Sequence, residues 1–490
     1  MERRILVLGA FLAACFVLLF LQLNNLQVRQ AHALQSSLSN PLTFEKLYSQ
    51  PRGAILSADG VLLAESVKSP HGIYKYQRVY PSATAQLFAQ IVGYDSYLYG
   101  LDGVEASYNQ YLEAHQKPAK TIGDLFTNRT VTDDVTLTLS SRLQAVAAQE
   151  LQGKVGAVVA IDPSTGAIRA MYSSPSFDPN PLASQSSKTE RLAWFTYNTA
   201  PKQPMLARAY RRAYPPGSTF KIVTTSAAYQ FAPQLVTKSY PTYSCTALPN
   251  TNKQLCNYDK ESCGGDIAEL LPPSCDTGYG LLGIDIGAQD LYQQANLYGF
   301  DQHPPIDLPP SPYDVSNFPT PTSLARDLPG VAYSAIGQQD VQATALQMAL
   351  VAAGVANSGM VMTPHVMASI RDSQGNLVES YQPKPWHRAT NQQIAAAIRD
   401  LMIQVANCGA CHGTAVGVFN PADDVAAKTG TAQVGTGNTA TTDWMIAFAP
   451  AANPKIAVAV VVPNQYLSAT GAAVSGPIAS AMIEAALAGP

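Results

Sequence analysis

The sequence predicts an α+β domain built on an antiparallel sheet flanked by helices, set behind one membrane-spanning helix and a smaller amino-terminal module. Three patterns predict it. Residues 158–172 place apolar runs on either side of the turn cluster Pro163-Ser164-Thr165-Gly166, which reads as a hairpin. Residues 425–434, 444–448 and 456–462 are short β-rich runs separated by Gly/Thr/Asn and Ala/Asn/Pro segments, which reads as a meander. An Ala-rich stretch over 478–487 then has the composition of a closing helix that packs on that sheet.

At the amino end, residues 5–23 are apolar and uncharged, interrupted only near the end by Gln22, and have the length needed to cross a bilayer. Arg3 and Arg4 precede the run, so the positive-inside rule leaves residues 1–4 in the cytoplasm and the rest of the chain outside. A cleaved signal peptide is the alternative, with Ala31-His32-Ala33 as an A-x-A-like site. The apolar run exceeds the usual h-region of roughly 7–15 residues and the site lies well beyond it, so residues 5–25 are expected to stay as an anchor. Residues 26–153 form a mixed, Tyr-rich module, and 154–490 the larger domain. The Pro-rich segment 303–322 has no helical period and is expected as a long loop. Net charge is −3 with 13% charged residues and no basic stripe, which leaves a nucleic-acid partner without an electrostatic footing.

The chemistry centres on Tyr214-Pro215-Pro216-Gly217-Ser218-Thr219-Phe220-Lys221. Pro-Pro-Gly suits a tight loop into a helix, which leaves Ser218 at or near the first turn. At i and i+3 the Lys221 amine can reach the Ser218 hydroxyl and draw off its proton. Unpaired N–H groups at a helix start can steady an oxyanion. Alone, a Ser-x-x-Lys spacing is weak, since one or two arise by chance in a chain this long. Two further motifs strengthen it. Lys428-Thr429-Gly430-Thr431 lies in an edge-strand pattern, where Gly430 admits a substrate backbone and the flanking cation and hydroxyls can receive a carboxylate. Ser274-Cys275-Asp276 falls between them and could set a second hydroxyl beside Lys221.

In order and spacing this trio resembles that of the class B penicillin-binding proteins, the membrane-anchored D,D-transpeptidases that cross-link peptidoglycan. The likeness extends along most of the chain. Gly156 to Gly166 is similar to their first catalytic hairpin and Ser173 to Asn180 to its continuation. Ala335-Ile336-Gly337-Gln338, Leu346-Gln347-Met348-Ala349 and Ala356-Asn357-Ser358-Gly359 resemble the stretch between their second and third motifs. Arg52-Gly53-Ala54-Ile55 and Gly103-Val104-Glu105 resemble their amino-terminal pedestal, which makes 26–153 a pedestal or dimerisation-like domain and 154–490 the transpeptidase domain. The 125 or so residues between anchor and transpeptidase domain are too few for the glycosyltransferase domain of class A relatives.

The resemblance implies catalytic residues Ser218, Lys221, Ser274, Asp276 and Lys428, and substrate-binding residues Thr429, Gly430 and Thr431. Ser218 would attack the penultimate D-Ala carbonyl of a donor stem peptide, with neutral Lys221 as base. N–H groups of Ser218 and Thr431 would hold the oxyanion, and Ser274 would relay a proton to the leaving D-Ala. Lys428, Thr429 and Thr431 would bind the terminal carboxylate of the donor or of a β-lactam, and an acceptor amine would resolve the acyl-enzyme. The partners implied are peptidoglycan stem peptides, β-lactam antibiotics, the cell membrane, and division or elongation membrane proteins. No cofactor or metal is required; His303, His365, His387 and His412 show no paired ligand spacing.

Departures keep other readings open. Asp276 stands where most relatives have Asn; an ionised carboxylate cannot donate to a substrate carbonyl and favours charged Lys221. Ala207 and Ala345 replace a usual Asn and Pro. Ser57-Ala-Asp59 and Ser176-Phe-Asp178 match the second motif as well as Ser274-Cys-Asp276 does. A D,D-carboxypeptidase or serine β-lactamase-like hydrolase, and a non-catalytic division scaffold, are the alternatives. Cys245, Cys256, Cys263, Cys275, Cys408 and Cys411 would face an oxidising exterior. One bridge is expected in the insertion-like loop holding Cys245, Cys256 and Cys263. Cys408-Gly-Ala-Cys411-His412 matches a haem c attachment pattern, against which a local disulfide is the preferred reading.

Overall fold

The computed structural model describes residues 2–25, 48–69, 72–116, 130–252, 254–434 and 439–489. A 23-residue helix, α1 (Glu2–Asn24), opens the chain with Phe11, Phe16 and Leu18 exposed. Its span Leu6–Asn24 is long and apolar enough to cross a membrane, and none of it is covered by the rest of the chain. Apolar surface left bare is costly in water and at home in lipid, consistent with a single-pass anchor. The candidate cleavage site Ala31-His32-Ala33 and residues 26–47 lie outside the described residues.

The main sheet has five antiparallel strands: β1 (Gly156–Ile161), β2 (Ile168–Ser174), β3 (Ala426–Val434), β4 (Ala440–Ala449) and β5 (Ile456–Gln465), in the order β2-β1-β5-β4-β3. The expected hairpin is β1–β2. Its turn closes through the Gly166 N–H donating to the Asp162 carbonyl at 2.9 Å, with Gly166 at φ +81°. The expected meander is β3-β4-β5. β4 begins four residues earlier than the apolar pattern suggests, because Thr441, Thr442 and Asp443 are polar yet buried.

The helices that position the site are α2 (Lys221–Phe231), α3 (Asp276–Ile286), α4 (Ala345–Ala356), α5 (Gln392–Asn407) and α6 (Gly476–Leu487), of which α4, α5 and α6 pack on the sheet and α2 and α3 pack on each other. α4 and α6 both pack on β5, whose residues from Ile456 to Pro463 are buried, as expected of a strand covered on both faces. α2 is buried through residues 221–228, so it is a central helix apolar on all sides apart from its hydroxyls. Those hydroxyls are satisfied: Thr224 Oγ1 donates to the Ala335 carbonyl at 2.6 Å, Thr225 pairs with Tyr279 at 2.7 Å, and Ser226 pairs with Tyr298 at 2.9 Å.

A second sheet of six strands, ordered Leu377–Ser380, Met367–Asp372, Asp133–Leu137, Ile55–Leu56, Leu62–Lys68 and Tyr76–Val79, joins the amino-terminal module to a hairpin from the larger domain. The two pedestal motifs meet across it. Buried Glu105 accepts from Arg52 Nη2 at 2.9 Å and from Arg78 Nε at 2.5 Å, a pairing that satisfies an otherwise costly charge.

Three disulfides form: Cys245–Cys256, Cys263–Cys275 and Cys408–Cys411. The first is the expected bridge within the insertion, and the third is the local bridge preferred over haem attachment. The second ties the insertion to the residue between Ser274 and Asp276.

Candidate active site

Ser218 sits in a 3₁₀ turn, Gly217–Phe220, that runs directly into α2, so the Pro-Pro-Gly entry delivers it to the helix start as expected. The turn is pinned on several sides. The Trp444 indole donates to the Pro215 carbonyl at 2.8 Å, the Gly217 N–H to the Gly337 carbonyl at 2.9 Å, and Thr219 Oγ1 to the Pro216 carbonyl at 2.7 Å.

β3 is an edge strand, paired only to β4, and lies against this turn. A Cβ at Gly430 would stand 2.8 Å from the Pro216 carbonyl oxygen, so only glycine lets the strand approach the loop bearing Ser218 this closely. Lys428 runs inward from β3 and is fully buried.

Ser274 reaches the same place from a third direction. A short helix, Ile267–Leu270, starts with the capping box of Asp266 and Glu269; Pro272 and Pro273 stop it, and the Cys275 N–H returns to the Leu270 carbonyl at 2.9 Å. Ser274 turns the corner at φ +61°, a conformation that costs a non-glycine residue about 1 kcal/mol and clusters at functional sites. Asp276 then opens α3, where a carboxylate is favoured by the helix N-terminus.

The side chains converge. Lys428 Nζ donates to Ser274 Oγ at 2.8 Å, and Lys221 Nζ to the same hydroxyl at 3.2 Å. Lys221 also donates to the Ser274 carbonyl at 2.7 Å and to Asp276 Oδ1 at 2.6 Å. Ser218 Oγ donates to Asp276 Oδ1 at 3.5 Å. The direct Lys221–Ser218 bond expected from the spacing is not among the hydrogen bonds; Asp276 stands between the two groups. Catalytic hydrogen bonds are often long before substrate arrives and tighten in the complex.

Burial sets the electrostatics. It holds the Lys221 amine below its usual pKa, with Asp276 pushing the other way, and it holds Lys428 well below, helped by the charge of Lys221. Two ammonium groups meeting one hydroxyl in a buried site favour at least one neutral amine.

Ser218, Ser274, Asp276, Thr429 and Thr431 line one open cleft of about 2530 Å³. The rival second motifs do not reach it. Asp59 accepts from Ser141, Ser176 Oγ donates to the Gln86 carbonyl, and Asp178 accepts from the Asn180 N–H. Sequence reasoning gave no role at the site to Trp444, Gly337 or Thr414, the last with its hydroxyl 2.7 Å from that of Thr429. None carries a local signal, because each acts only through residues distant in the chain.

Residues 156–484 match the penicillin binding protein transpeptidase domain, and residues 52–133 the penicillin binding protein A dimerisation domain. The chain is 37% identical to the peptidoglycan D,D-transpeptidase PbpA of Mycolicibacterium smegmatis, covering 97% of each. It is 36% identical to the PbpA of Mycobacterium tuberculosis, again over 97% of each. The fold superposes on penicillin-binding protein A from M. tuberculosis, solved as its penicillin G acyl-enzyme complex, with a TM-score of 0.80 and 34% identity over 90% of this chain and all of that one. The chain belongs to the penicillin-binding protein transpeptidase family, in its class B branch.

Proposed function

We propose that this protein is a peptidoglycan D,D-transpeptidase that cross-links stem peptides through a Ser218 acyl-enzyme and is acylated at the same serine by β-lactams. The observation that carries the reading is the convergence of Lys221 and Lys428 on Ser274 Oγ and of Ser218 and Lys221 on Asp276, beside a cleft edged by an open β-strand. In the donor half-reaction, Ser218 Oγ bonds to the penultimate D-Ala carbonyl carbon while its proton passes to Lys221 Nζ. N–H groups of Ser218 and Thr431 hold the oxyanion, each such donor being worth about 3 kcal/mol in a related hydrolase chemistry. Collapse breaks the C–N bond, and a proton relayed through Ser274 leaves with the D-Ala nitrogen. An acceptor amine then attacks the ester, forms the new peptide bond and returns the proton to Ser218. With a β-lactam the ring C–N bond breaks instead, and the ring nitrogen takes the proton.

In this reading residues 5–25 anchor the protein with residues 1–4 inside, 26–153 form the pedestal, and 154–490 carry the chemistry outside the cell. The six paired cysteines suit that oxidising side.

Intact-mass spectrometry of the full chain after benzylpenicillin, with peptide mapping, tests the reading. The expected result is one adduct on Ser218, absent in Ser218→Ala; an unlabelled wild type would favour the non-catalytic scaffold instead. Donor peptide plus an amine acceptor should give cross-linked product, whereas release of free acid alone would point to a hydrolase.

A further inference from the structure

We propose that Thr414 is a specificity-determining residue of this site: it orients the Thr429 hydroxyl and, with it, completes a pair of O–H donors matched to the two oxygens of a ligand carboxylate. The inference rests on the acyl-transfer reading above and extends it to a residue outside the three motifs.

Thr414 lies in the segment between α5 and β3, just beyond the Cys408–Cys411 bridge, and lines the cleft together with Thr429 and Thr431. Its backbone is held in place: the Thr414 N–H donates to the Pro272 carbonyl at 3.2 Å, two residues before Ser274, and the Gly413 N–H to the Cys408 carbonyl at 3.0 Å. The loop therefore spans from the second motif to the third. Thr414 Oγ1 stands 2.7 Å from Thr429 Oγ1.

Two hydroxyls in contact own two protons and use one between them, so the pair keeps one proton for a third group. Thr431 is prepared in a comparable way. Its Oγ1 accepts from the Gly471 N–H at 3.0 Å, which occupies a lone pair and leaves its own proton free. The site thus holds two free O–H donors, one from the Thr414–Thr429 pair and one from Thr431, all three residues lining the same cleft. Two O–H donors facing one cleft suit the two oxygens of a carboxylate. Without Thr414, the Thr429 hydroxyl loses its orienting partner and rotates freely.

The test uses the full chain in detergent, with Thr414→Val removing the hydroxyl at constant shape and Thr414→Ser restoring it. Two probes separate recognition of the carboxylate from structural damage: benzylpenicillin, and benzylpenicillin methyl ester, which lacks the anion. The readout is the second-order rate of Ser218 adduct formation by intact mass. Thr414→Val should slow acylation by benzylpenicillin roughly tenfold, the loss of about one hydrogen bond to a charged group. The ester should react within about twofold of the wild-type rate, and Thr414→Ser should recover the benzylpenicillin rate. Equal slowing with both probes would reduce Thr414 to a structural role and overturn the proposal, as would an unchanged rate with benzylpenicillin. Absence of any Ser218 adduct on the wild-type chain would overturn the acyl-transfer reading, and this proposal with it. Normal wild-type labelling with an indifferent valine variant would overturn the role of Thr414 alone.

Discussion

Lys221 Nζ and Asp276 Oδ1 lie 2.6 Å apart, with the lysine fully buried and the carboxylate partly open to the cleft. The contact opposes what a general base needs. Burial drives the amine toward neutrality, while the carboxylate draws it back toward the ammonium form. Asn, a neutral amide of nearly the same shape, would exert only the weaker pull of a dipole.

Asp276→Asn should therefore lower the Lys221 pKa further. Acylation that requires a neutral amine rises with pH through that pKa, so the acid limb of the benzylpenicillin acylation profile should move to lower pH. A limb that stays in place would mean that Asp276 does not set it.

Lys221→Ala should slow acylation by about 10² to 10⁴, the range a positioned general base contributes. Lys428→Ala removes the 2.8 Å donor to Ser274 Oγ and should also slow it. Time courses of Ser218 adduct formation check both, and a Lys221→Ala rate within threefold of wild type would rule out the base assignment.

The Cys263–Cys275 bridge holds the residue that joins Ser274 to Asp276. Replacing both cysteines by serine should cost about 3 kcal/mol of stability, as expected for a loop of this size, and should slow acylation by loosening the second motif. Urea unfolding and the adduct assay read the two effects separately.

Gly337 has φ +71°, and a Cβ there would stand 2.2 Å from the Gly217 carbonyl oxygen. Gly337→Ala should lower stability by at least about 1–2 kcal/mol, the cost of the left-handed backbone, and displace the turn bearing Ser218. Thermal unfolding and acylation rates should fall together.

Asp443 is buried on β4 opposite Thr431, with neither carboxylate oxygen hydrogen-bonded among the described residues. Burial raises its pKa to about 6. Between the ordinary carboxyl value and about 6, the folded protein keeps a proton that the unfolded chain releases, so this group lowers stability as pH rises through that window. Asp443→Asn should flatten that dependence and stabilise the neutral-pH protein by about 3 kcal/mol. Denaturant unfolding between pH 4 and pH 8 gives the slope.

Much of this was legible in the chain itself. The hairpin, the meander, the closing helix and the apolar anchor are local patterns, dictated by side-chain alternation, turn residues and length. Ser218 and Lys221 share a helix start because they stand three positions apart, and the Lys428 strand announces itself by its β-rich flanks. Tertiary packing decided the rest. Three Ser-x-Asp sequences share the pattern and order along the chain favours Ser274; folding brought Ser274 to Lys428 across 154 residues while leaving Ser57 and Ser176 in structural bonds. Folding also set Asp276 between Lys221 and Ser218, chose Cys275 as the partner of Cys263, and put Thr414 against Thr429. Periodicity is a short-range property of the backbone; which hydroxyl meets which amine depends on how distant surfaces exclude water together, and no single stretch of residues encodes that.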